Sequence, residues 1–340
     1  MTVPTTAPAT TPSTSGGSSS NGSTNGSTTS VLDTAAIAAA VTPSTVDITT
    51  SLGAGNGSAA GTGILLTSDG EVLTNRHVIE GAFSISAQVG GTGKTYTATV
   101  LGSDATHDVA LIQLKGASGL TAARTSSNVS VGDSVVAIGN ALGRSGPPAV
   151  VTGTVQALDQ SITVSDPSTG ADVPMSGLIQ TDAPLQPGDS GGPLINDHGE
   201  VIGIDTAASG GRRFRSTGSE GFAIPIETAR SIAHQIESKQ SSSTVQIGAP
   251  AFLGVEVTNV ADGSGGAAIG NVESGTPAAS VGLQAGDTIV QFDGATVASA
   301  ESLGPLIRKH KPGDRVTVVW LDSAGKRHSA VVRLATGPAA

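Results

Sequence analysis

The chain has 340 residues, of which 37% are hydrophobic and only 2% aromatic, and its formal net charge is −10. This length allows two domains, and an acidic chain without a basic stripe argues against nucleic acid as a partner. Since the sequence contains no cysteine, disulfides, thiol catalysis and cysteine-based metal sites are excluded.

Residues 1–30 consist almost wholly of Thr, Ser, Gly, Pro, Asn and Ala, which predicts a disordered tail of the kind used as a stalk or spacer. The first residues, "MTVPTTAPAT", lack the basic start and apolar stretch of a signal peptide. No apolar run approaches the roughly 20 residues that span a bilayer. The protein is then either cytoplasmic or exported by a segment upstream of this chain. The spacer-like tail favours an extracytoplasmic protein that is secreted, or tethered to the cell wall or membrane.

After the tail, "LDTAAIAAAV" predicts a short helix that ends before Pro43. Two sets of about six strand-like segments follow within residues 31–240, and "LLTSDGEVL" in the first set predicts a hairpin. This repetition predicts two similar β-barrels. Apolar residues at helical spacing then predict a helix over 226–238.

The polar stretch 241–250 is interpreted as a linker. Residues 251–337 predict a smaller domain of five strands with short helical pieces near 277–283 and 301–310. The predicted fold class is therefore mainly β, with a double β-barrel followed by a small β-sandwich that carries two helices.

The stretch "PGDSGGPL" surrounds Ser190 with residues that bend the backbone. A serine hydroxyl is a poor nucleophile unless a base, an orienting group and donors for the developing oxyanion lie next to it. Glycines on both sides allow the N–H groups of Gly188 and Ser190 to converge on one point. The stretch therefore indicates an activated serine.

The base should be a histidine, and the sequence has six. His77 lies in "LTNRHVIEG", where a strand ends in a turn, whereas His107 would face away from the acid beside it. The other four are interpreted as solvated or structural residues: His198, His234, His310 and His328. For the orienting carboxylate, Asp108 opens an apolar strand and Asp104 is the rival in a looser loop.

The segments "TNRHVIEG", "HDVALIQL" and "PGDSGGPL" resemble those of chymotrypsin-like serine proteases. Together with "GTGILLTSDGEVLTNRHV", "GFAIPI" and "SGTPAASVGLQAGDTIVQFDGATV", they resemble more closely the HtrA (DegP-like) proteases with a C-terminal PDZ domain, above all secreted mycobacterial or actinobacterial members. The resemblance spans roughly residues 44–336. It implies a trypsin-like double-barrel protease domain in residues 31–240 and a PDZ domain in residues 251–337, with no cofactor and no metal.

The resemblance also implies roles for single residues. Ser190 would be the nucleophile, His77 the general base, and Asp108 its orienter, with the N–H groups of Gly188, Asp189 and Ser190 as the oxyanion hole. The specificity pocket would be lined by Pro184, Leu185, Thr206, Ala207 and Ala208. Because no acidic residue falls there, cleavage is expected after small or medium aliphatic residues.

Asp189 departs from the HtrA pattern, which usually has Asn at this position. A local partner such as Arg144 or Arg212 is one possibility, and a resting inactive loop is the other. The basal activity is therefore open.

For the second domain, the stretch "AFLGV" matches the loop with which PDZ domains bind a C-terminal carboxylate. Phe252, Leu253, Gly254 and Val255 would form the peptide site. The expected partners are unfolded or processed protein substrates and protein C-termini, with no nucleic acid. Trimers of HtrA proteases form through aromatic residues near the N-terminus, and residues 1–50 contain none, so a trimer is in doubt.

Two other functions remain open. One is a chaperone-like, peptide-binding protein whose protease domain is idle, and the other is a zymogen whose tail must be removed. A metalloenzyme is disfavoured because no histidine pair has ligand spacing.

Overall fold

The computed structural model describes residues 33–52, 57–140, 143, 146–165, 172–206, 220–260 and 265–339. The chain divides into two units, residues 1–32 and 33–340. The predicted tail lies outside the described residues. Among those that are described, no helix is long and apolar enough to cross a membrane.

The first barrel is a sheet of six antiparallel strands preceded by a helix. Its strand order is β5-β4-β1-β2-β3-β6, and pairing between β5 and β6 closes it. Val46, Ile48 and Ile112 are fully buried in its core. The elements are α1 (Thr34–Val41), a 3-10 turn (Thr42–Ser44), β1 (Thr45–Ser51), β2 (Ser58–Leu65), β3 (Glu71–Asn75), α2 (Arg76–Ile79), β4 (Ser84–Val89), β5 (Thr95–Asp104) and β6 (Val109–Leu114).

The second barrel also closes with six antiparallel strands, in the order β10-β11-β12-β9-β8-β7. Val135, Leu194 and Ala223 are buried inside it. Its elements are β7 (Ser134–Gly139), β8 (Ala149–Ser165), β9 (Asp172–Thr181), β10 (Pro193–Ile195), β11 (Val201–Thr206), β12 (Gly221–Pro225) and the following helix α3 (Ile226–Glu237). The predicted pair of barrels is therefore confirmed, and so are the hairpin between β2 and β3 and the helix α3, whose apolar face is buried.

The predicted linker 241–250 contains a strand, β13 (Val245–Ile247), that extends the first sheet beside β5. Thr244 Oγ1 donates to Asp104 Oδ2 at 3.1 Å, and the Gly248 N–H donates to the Leu101 carbonyl at 2.7 Å. Val245 is only 2% exposed. The stretch therefore contains a short strand that is anchored at both ends, which its polar composition did not predict, and its role as a linker stays a prediction.

The C-terminal domain is an antiparallel sheet in the order β15-β16-β17-β19-β20, with two short helices and the separate pair β14–β21. Phe292 and Trp320 lie in its core. The elements are β14 (Ala251–Phe252), β15 (Val255–Asn259), β16 (Ala267–Val272), α4 (Pro277–Ser280), β17 (Thr288–Phe292), β18 (Ala295–Thr296), α5 (Ala300–Ile307), β19 (Arg315–Leu321), β20 (Arg327–Arg333) and β21 (Ala335–Thr336). The mainly β sandwich with two helices is thus confirmed.

The segment after β21 returns to the first barrel. The Gly81 N–H donates to the Ala339 carbonyl at 2.7 Å, and the Ala339 N–H donates to the Ala82 carbonyl at 2.9 Å. Ala339 is 4% exposed and belongs to the first-barrel core. Next to it, the rings of Phe83 and Phe252 meet edge to face with centroids 5.8 Å apart. The C-terminal domain therefore contacts the segment that follows α2.

Candidate active site

His77 and Asp108 form a hydrogen-bonded pair at one end of the first barrel. His77 Nδ1 lies 2.6 Å from Asp108 Oδ2, and the His77 backbone N–H donates to Asp108 Oδ1 at 2.9 Å. The imidazole is 38% exposed, whereas the carboxylate is 14% exposed. The acid is thus held inside the protein while the ring reaches solvent, where a substrate could meet it.

The backbone of Asp108 is fixed by the residues that precede His77. Asp108 has a left-handed conformation with φ of 54°, which aspartate adopts more readily than most residues. Its carbonyl accepts hydrogen bonds from the Arg76 N–H at 3.1 Å and from Asn75 Nδ2 at 3.0 Å. Four contacts from three consecutive residues therefore set the carboxylate against the imidazole.

The protonation of His77 is governed by two opposing effects. Burial alone would lower the pKa of His77, but attraction to Asp108 and the hydrogen bond to it outweigh burial and hold the pKa above its ordinary value. The pair therefore stabilises an imidazolium. A base that takes a proton from a nucleophile needs that stabilisation.

Ser190 lies in the loop before β10, which is tied to strand β2 of the first barrel. The Thr62 N–H donates to the Ser190 carbonyl at 2.8 Å, and Thr62 Oγ1 donates to the Gly188 carbonyl at 2.7 Å. A β-carbon on Gly61 would lie 2.6 Å from Val78 Cγ1 and 3.2 Å from the Ser190 carbonyl oxygen. Helix α2, which carries His77, and the loop of Ser190 therefore flank the same point of β2.

Gly191 shows why the serine is followed by glycine. Its φ of +87° is left-handed, and a β-carbon there would overlap the Thr62 carbonyl and the Thr74 hydroxyl. Its N–H donates to the Asp205 carbonyl at 2.8 Å. The loop can approach the first barrel this closely only without a side chain at this position.

One of the three predicted oxyanion donors is already engaged. The Asp189 N–H donates to the Gln186 carbonyl at 3.0 Å, and the Asp189 carboxylate accepts from the Gln186 N–H at 2.8 Å. These bonds form a tight turn before the serine. In this arrangement the Asp189 N–H is used within its own loop, and the assignment of Gly188, Asp189 and Ser190 as oxyanion donors stays a prediction.

Two buried acids lie behind the serine. Asp189 is 3% exposed and Asp205 is fully buried. Burial raises the pKa of Asp189 despite the Gln186 hydrogen bond. Burial also raises the pKa of Asp205 well above its ordinary value, and the charge of Asp189 raises it further. Asp205 was missed in the sequence, where the only signal was an acid inside the apolar run "VIGIDTA". The proposed partners Arg144 and Arg212 lie outside the described residues.

Asp104 does not compete for His77, because it binds a different histidine. His107 Nδ1 lies 3.0 Å from Asp104 Oδ2. Burial would raise the pKa of Asp104, but hydrogen bonds from His107 and Thr106 hold it below its ordinary value. This second pair joins the end of β5 to Thr244. The remaining histidines lie near carboxylates of their own: His198, His234, His310 and His328.

The predicted specificity residues are only partly described. Leu185 is 8% exposed and lies against Gly221, where a β-carbon would approach Leu185 Cδ1 to 2.8 Å. Thr206 is buried opposite Phe222 on neighbouring strands, and Pro184 is exposed. Ala207 and Ala208 lie outside the described residues.

The four residues predicted to form the peptide site run from the last residue of β14 to the first residue of β15. Gly254 has a left-handed φ of +87° and packs against the Thr276 side chain. Leu253 is 1% exposed within the domain core, whereas Val255 is half-buried at the start of the edge strand β15. Phe252 packs against Phe83 of the first barrel. The free edge of β15 is the kind of edge to which a peptide adds as a strand.

Comparison with known proteins finds one family match in the region of the two barrels and another in the C-terminal domain. Residues 61–204 match the family model of the trypsin-like peptidase domain, and residues 251–322 match that of the PDZ domain. The first match contains His77, Asp108 and the Ser190 loop but begins after β1 and ends before β12, while the loop of Gly254 lies within the second match.

Proteins with similar sequences or structures are named as serine proteases or HtrA-type proteases. The serine protease PepD of Mycobacterium tuberculosis is 34% identical over 296 residues, which cover 82% of this chain and 61% of PepD. The serine endoprotease DegS of Haemophilus influenzae is 31% identical over 77% of this chain and 73% of its own length. Among solved structures, the HtrA-type protease AlgW with a tripeptide is 26% identical with a TM-score of 0.50, over 90% of this chain and 97% of AlgW.

Proposed function

Because the chain belongs to the HtrA/DegP-like serine proteases, we propose that it is an extracytoplasmic serine endopeptidase that hydrolyses peptide bonds through His77, Asp108 and Ser190. The observation that carries this proposal is the 2.6 Å contact of His77 Nδ1 with Asp108 Oδ2, because helix α2, which carries His77, and the Ser190 loop meet at the same point of β2. The Thr/Ser/Gly-rich residues 1–30 support an extracytoplasmic location as a spacer.

In the proposed mechanism, Ser190 Oγ attacks the carbonyl carbon of the scissile peptide bond. His77 Nε2 takes the hydroxyl proton as the bond forms and then gives it to the leaving amine. Asp108 holds Nδ1 protonated and stabilises the imidazolium. Water then attacks the acyl-enzyme by the same route, which releases the acid product and restores Ser190.

The oxyanion of each tetrahedral intermediate would be bound by the N–H groups of Gly188 and Ser190. The hydrogen bond from Thr62 to the Gly188 carbonyl supports this assignment because it fixes the orientation of the loop. Removing one such donor typically costs about 3 kcal/mol of transition-state stabilisation.

For specificity, we infer cleavage after small or medium aliphatic residues. Leu185 and Thr206 are buried and uncharged next to the nucleophile loop, which supports an apolar pocket. A peptide library with a strong preference for Lys or Arg would contradict this inference.

The PDZ domain is proposed to bind the C-termini of unfolded or processed proteins. A peptide would add to the free edge of β15, with its carboxylate near Gly254 and its last side chain near Val255. Leu253 would contribute only from within the core, because it is almost fully buried.

A fluorophosphonate probe tests the proposal, since it reacts only with an activated serine. The wild-type chain should be labelled on the peptide that contains Ser190, and His77→Ala should abolish labelling. His107→Ala removes the second His–Asp pair of the first barrel and serves as the matched control, which should label normally. Absence of labelling in the folded wild-type chain would favour an idle protease domain that only binds peptides.

A further inference from the structure

A large basic cleft lies between the first barrel and the C-terminal domain, and its described lining includes no residue of the Ser190 loop. It encloses about 1330 Å³. Its described lining contains no aspartate or glutamate, although the whole chain carries a net charge of −10. Its cationic side chains come from both domains: Arg76, Lys115, Lys239, Arg308, Lys309 and Lys311.

Most of these cations are available to a ligand. Arg76 is paired with Glu80 at 2.9 Å. No carboxylate in the described part of the chain lies within 4.0 Å of the charged groups of the other five. Near the helical end of the cleft, His310 lies 3.6 Å from Asp293 and 3.8 Å from Asp314. Clustered like charges destabilise a fold unless an anion compensates them, so the cleft is suited to a negatively charged partner.

The walls of the cleft favour a polypeptide over other anions. The hydroxyl side chains of Ser241 and Ser243 line one side, next to β13, the outermost strand of its sheet. An extended chain can use both hydroxyl donors and a sheet edge. Phe83 is the only Phe, Tyr or Trp among the described lining residues, so the cleft lacks the stacked rings that bind bases. Its concave shape also does not fit a flat membrane surface.

We propose that this cleft binds extended acidic segments of polypeptides, at a position separate from both the Ser190 loop and the β15 edge. Such a segment would contact the first barrel and the C-terminal domain together, and would reach Arg76 beside His77. The proposal concerns binding alone, so it can be tested in a chain that does not hydrolyse peptide bonds.

The test is the anisotropy of a fluorescent peptide of repeating Glu-Gly-Ser, about 15 residues long so that it can span the cleft. Its C-terminus is amidated to keep it out of the PDZ carboxylate loop, and the full-length Ser190→Ala chain is used to prevent cleavage. A Gln-Gly-Ser peptide of equal length is the uncharged control. We expect binding of the Glu peptide that weakens several-fold between about 50 and 300 mM salt.

Charge reversal locates the site. Lys309→Glu combined with Lys311→Glu should weaken binding by about tenfold or more, since two attractions become repulsions. Lys115→Glu should weaken it from the opposite wall. Lys326→Glu is the matched control, because Lys326 is an exposed lysine of the same domain that does not line the cleft. It should leave the affinity within about twofold.

The proposal is overturned if the Glu peptide binds no more tightly than the Gln peptide, or if Lys326→Glu weakens binding as much as the cleft variants do. Binding of anionic lipid vesicles without binding of the Glu peptide would also overturn it. Melting temperatures of all variants show whether a loss of binding reflects unfolding. If the double variant unfolds, the affinity of Lys115→Glu tests the proposal instead: weaker binding supports it and unchanged binding overturns it.

Discussion

Asp108 is the residue whose geometry is most closely fixed in the candidate site. Its backbone is left-handed, its carbonyl accepts hydrogen bonds from residues 75 and 76, and its carboxylate contacts His77 twice. Together these contacts hold the negative charge of Asp108 next to His77 Nδ1. Asparagine tolerates the left-handed conformation as well as aspartate does. Replacing Asp108 with asparagine therefore removes the charge without straining the backbone.

We predict that Asp108→Asn lowers kcat by about 10³- to 10⁴-fold, because the imidazolium loses its stabilising charge and tautomer. Since Asp108 raises the pKa of His77, the variant should also shift the acidic limb of the kcat/KM profile to lower pH. A pH series of peptide hydrolysis measures both effects. An unchanged limb, with His77 still required, would show that Asp108 does not act on the ring.

Asp47 is a second acid whose environment has a measurable consequence. It lies on β1, is 7% exposed, and its Oδ1 has no hydrogen-bond partner among the described residues. Burial raises the pKa of Asp47 from 3.8 to about 6. Between these two values the unfolded chain releases the proton while the folded chain keeps it. The free energy of unfolding should therefore fall as the pH rises through this window.

We predict that Asp47→Asn removes this fall. The free energy of unfolding of the variant minus that of the wild type should be up to about 3 kcal/mol larger at neutral pH than at pH 4. The reason is that each pKa unit corresponds to about 1.4 kcal/mol. Urea unfolding at the two pH values measures the difference. A wild-type stability that does not fall more steeply than that of the variant would contradict the assignment.

At this scale the sequence predicts residue types better than it predicts environments. The pairing of His77 with Asp108 was expected from the resemblance, whereas spacing alone left Asp104 open. The reason is that strand register decides which acid faces which ring. Asp205 was missed because its burial depends on β10 and β12, which pair with β11 from distant parts of the chain.

Among the elements, β13 shows how a short strand escapes detection. "VQI" is three residues long between "SSST" and "GAP", too short for alternation to be recognised. It becomes a strand because β5 offers a free edge and because Asp104 accepts a hydrogen bond from Thr244. The longer helix α3, with its five buried apolar residues, was predicted to within one residue.

We predict that Thr244→Val loosens β13, because the isosteric change deletes only the hydroxyl donor to Asp104. The loss of a hydrogen bond of about 1 kcal/mol should speed exchange of the Gly248 amide by roughly fivefold. Ser243→Ala, an exposed neighbour, is the control. Equal exchange in all three proteins would mean that the hydroxyl does not anchor the strand.

On the scale of the molecule, the described residues form hydrophobic cores in each barrel and in the C-terminal domain, and chain segments cross between them. Each barrel has its own core, and a third surrounds Phe292 in the C-terminal domain. The segment that ends at Ala339 connects the third to the first, where it pairs with Gly81 and Ala82. The sequence could not reveal this contact, since residues 337–340 are only Gly, Pro and Ala. Such a short segment has no hydrophobic pattern that predicts which surface it packs against.

We predict that Ala339→Asp destabilises the first barrel, because a carboxylate would be placed in an apolar core. A penalty of about 2 kcal/mol or more should lower the melting temperature by roughly 5 °C. Ala324→Asp, on the exposed turn between β19 and β20, is the control of equal charge. If both variants have the same melting temperature as the wild type, residue 339 is not packed in the first-barrel core in solution.

The central claim is that Ser190 supplies the nucleophile to the His77–Asp108 pair. It is tested most directly by the rate of casein hydrolysis for the wild-type chain and for Ser190→Ala at equal concentrations of folded protein. The account predicts that the variant loses activity by at least about 10³-fold while its melting temperature is unchanged. Hydrolysis by Ser190→Ala at the wild-type rate would contradict it.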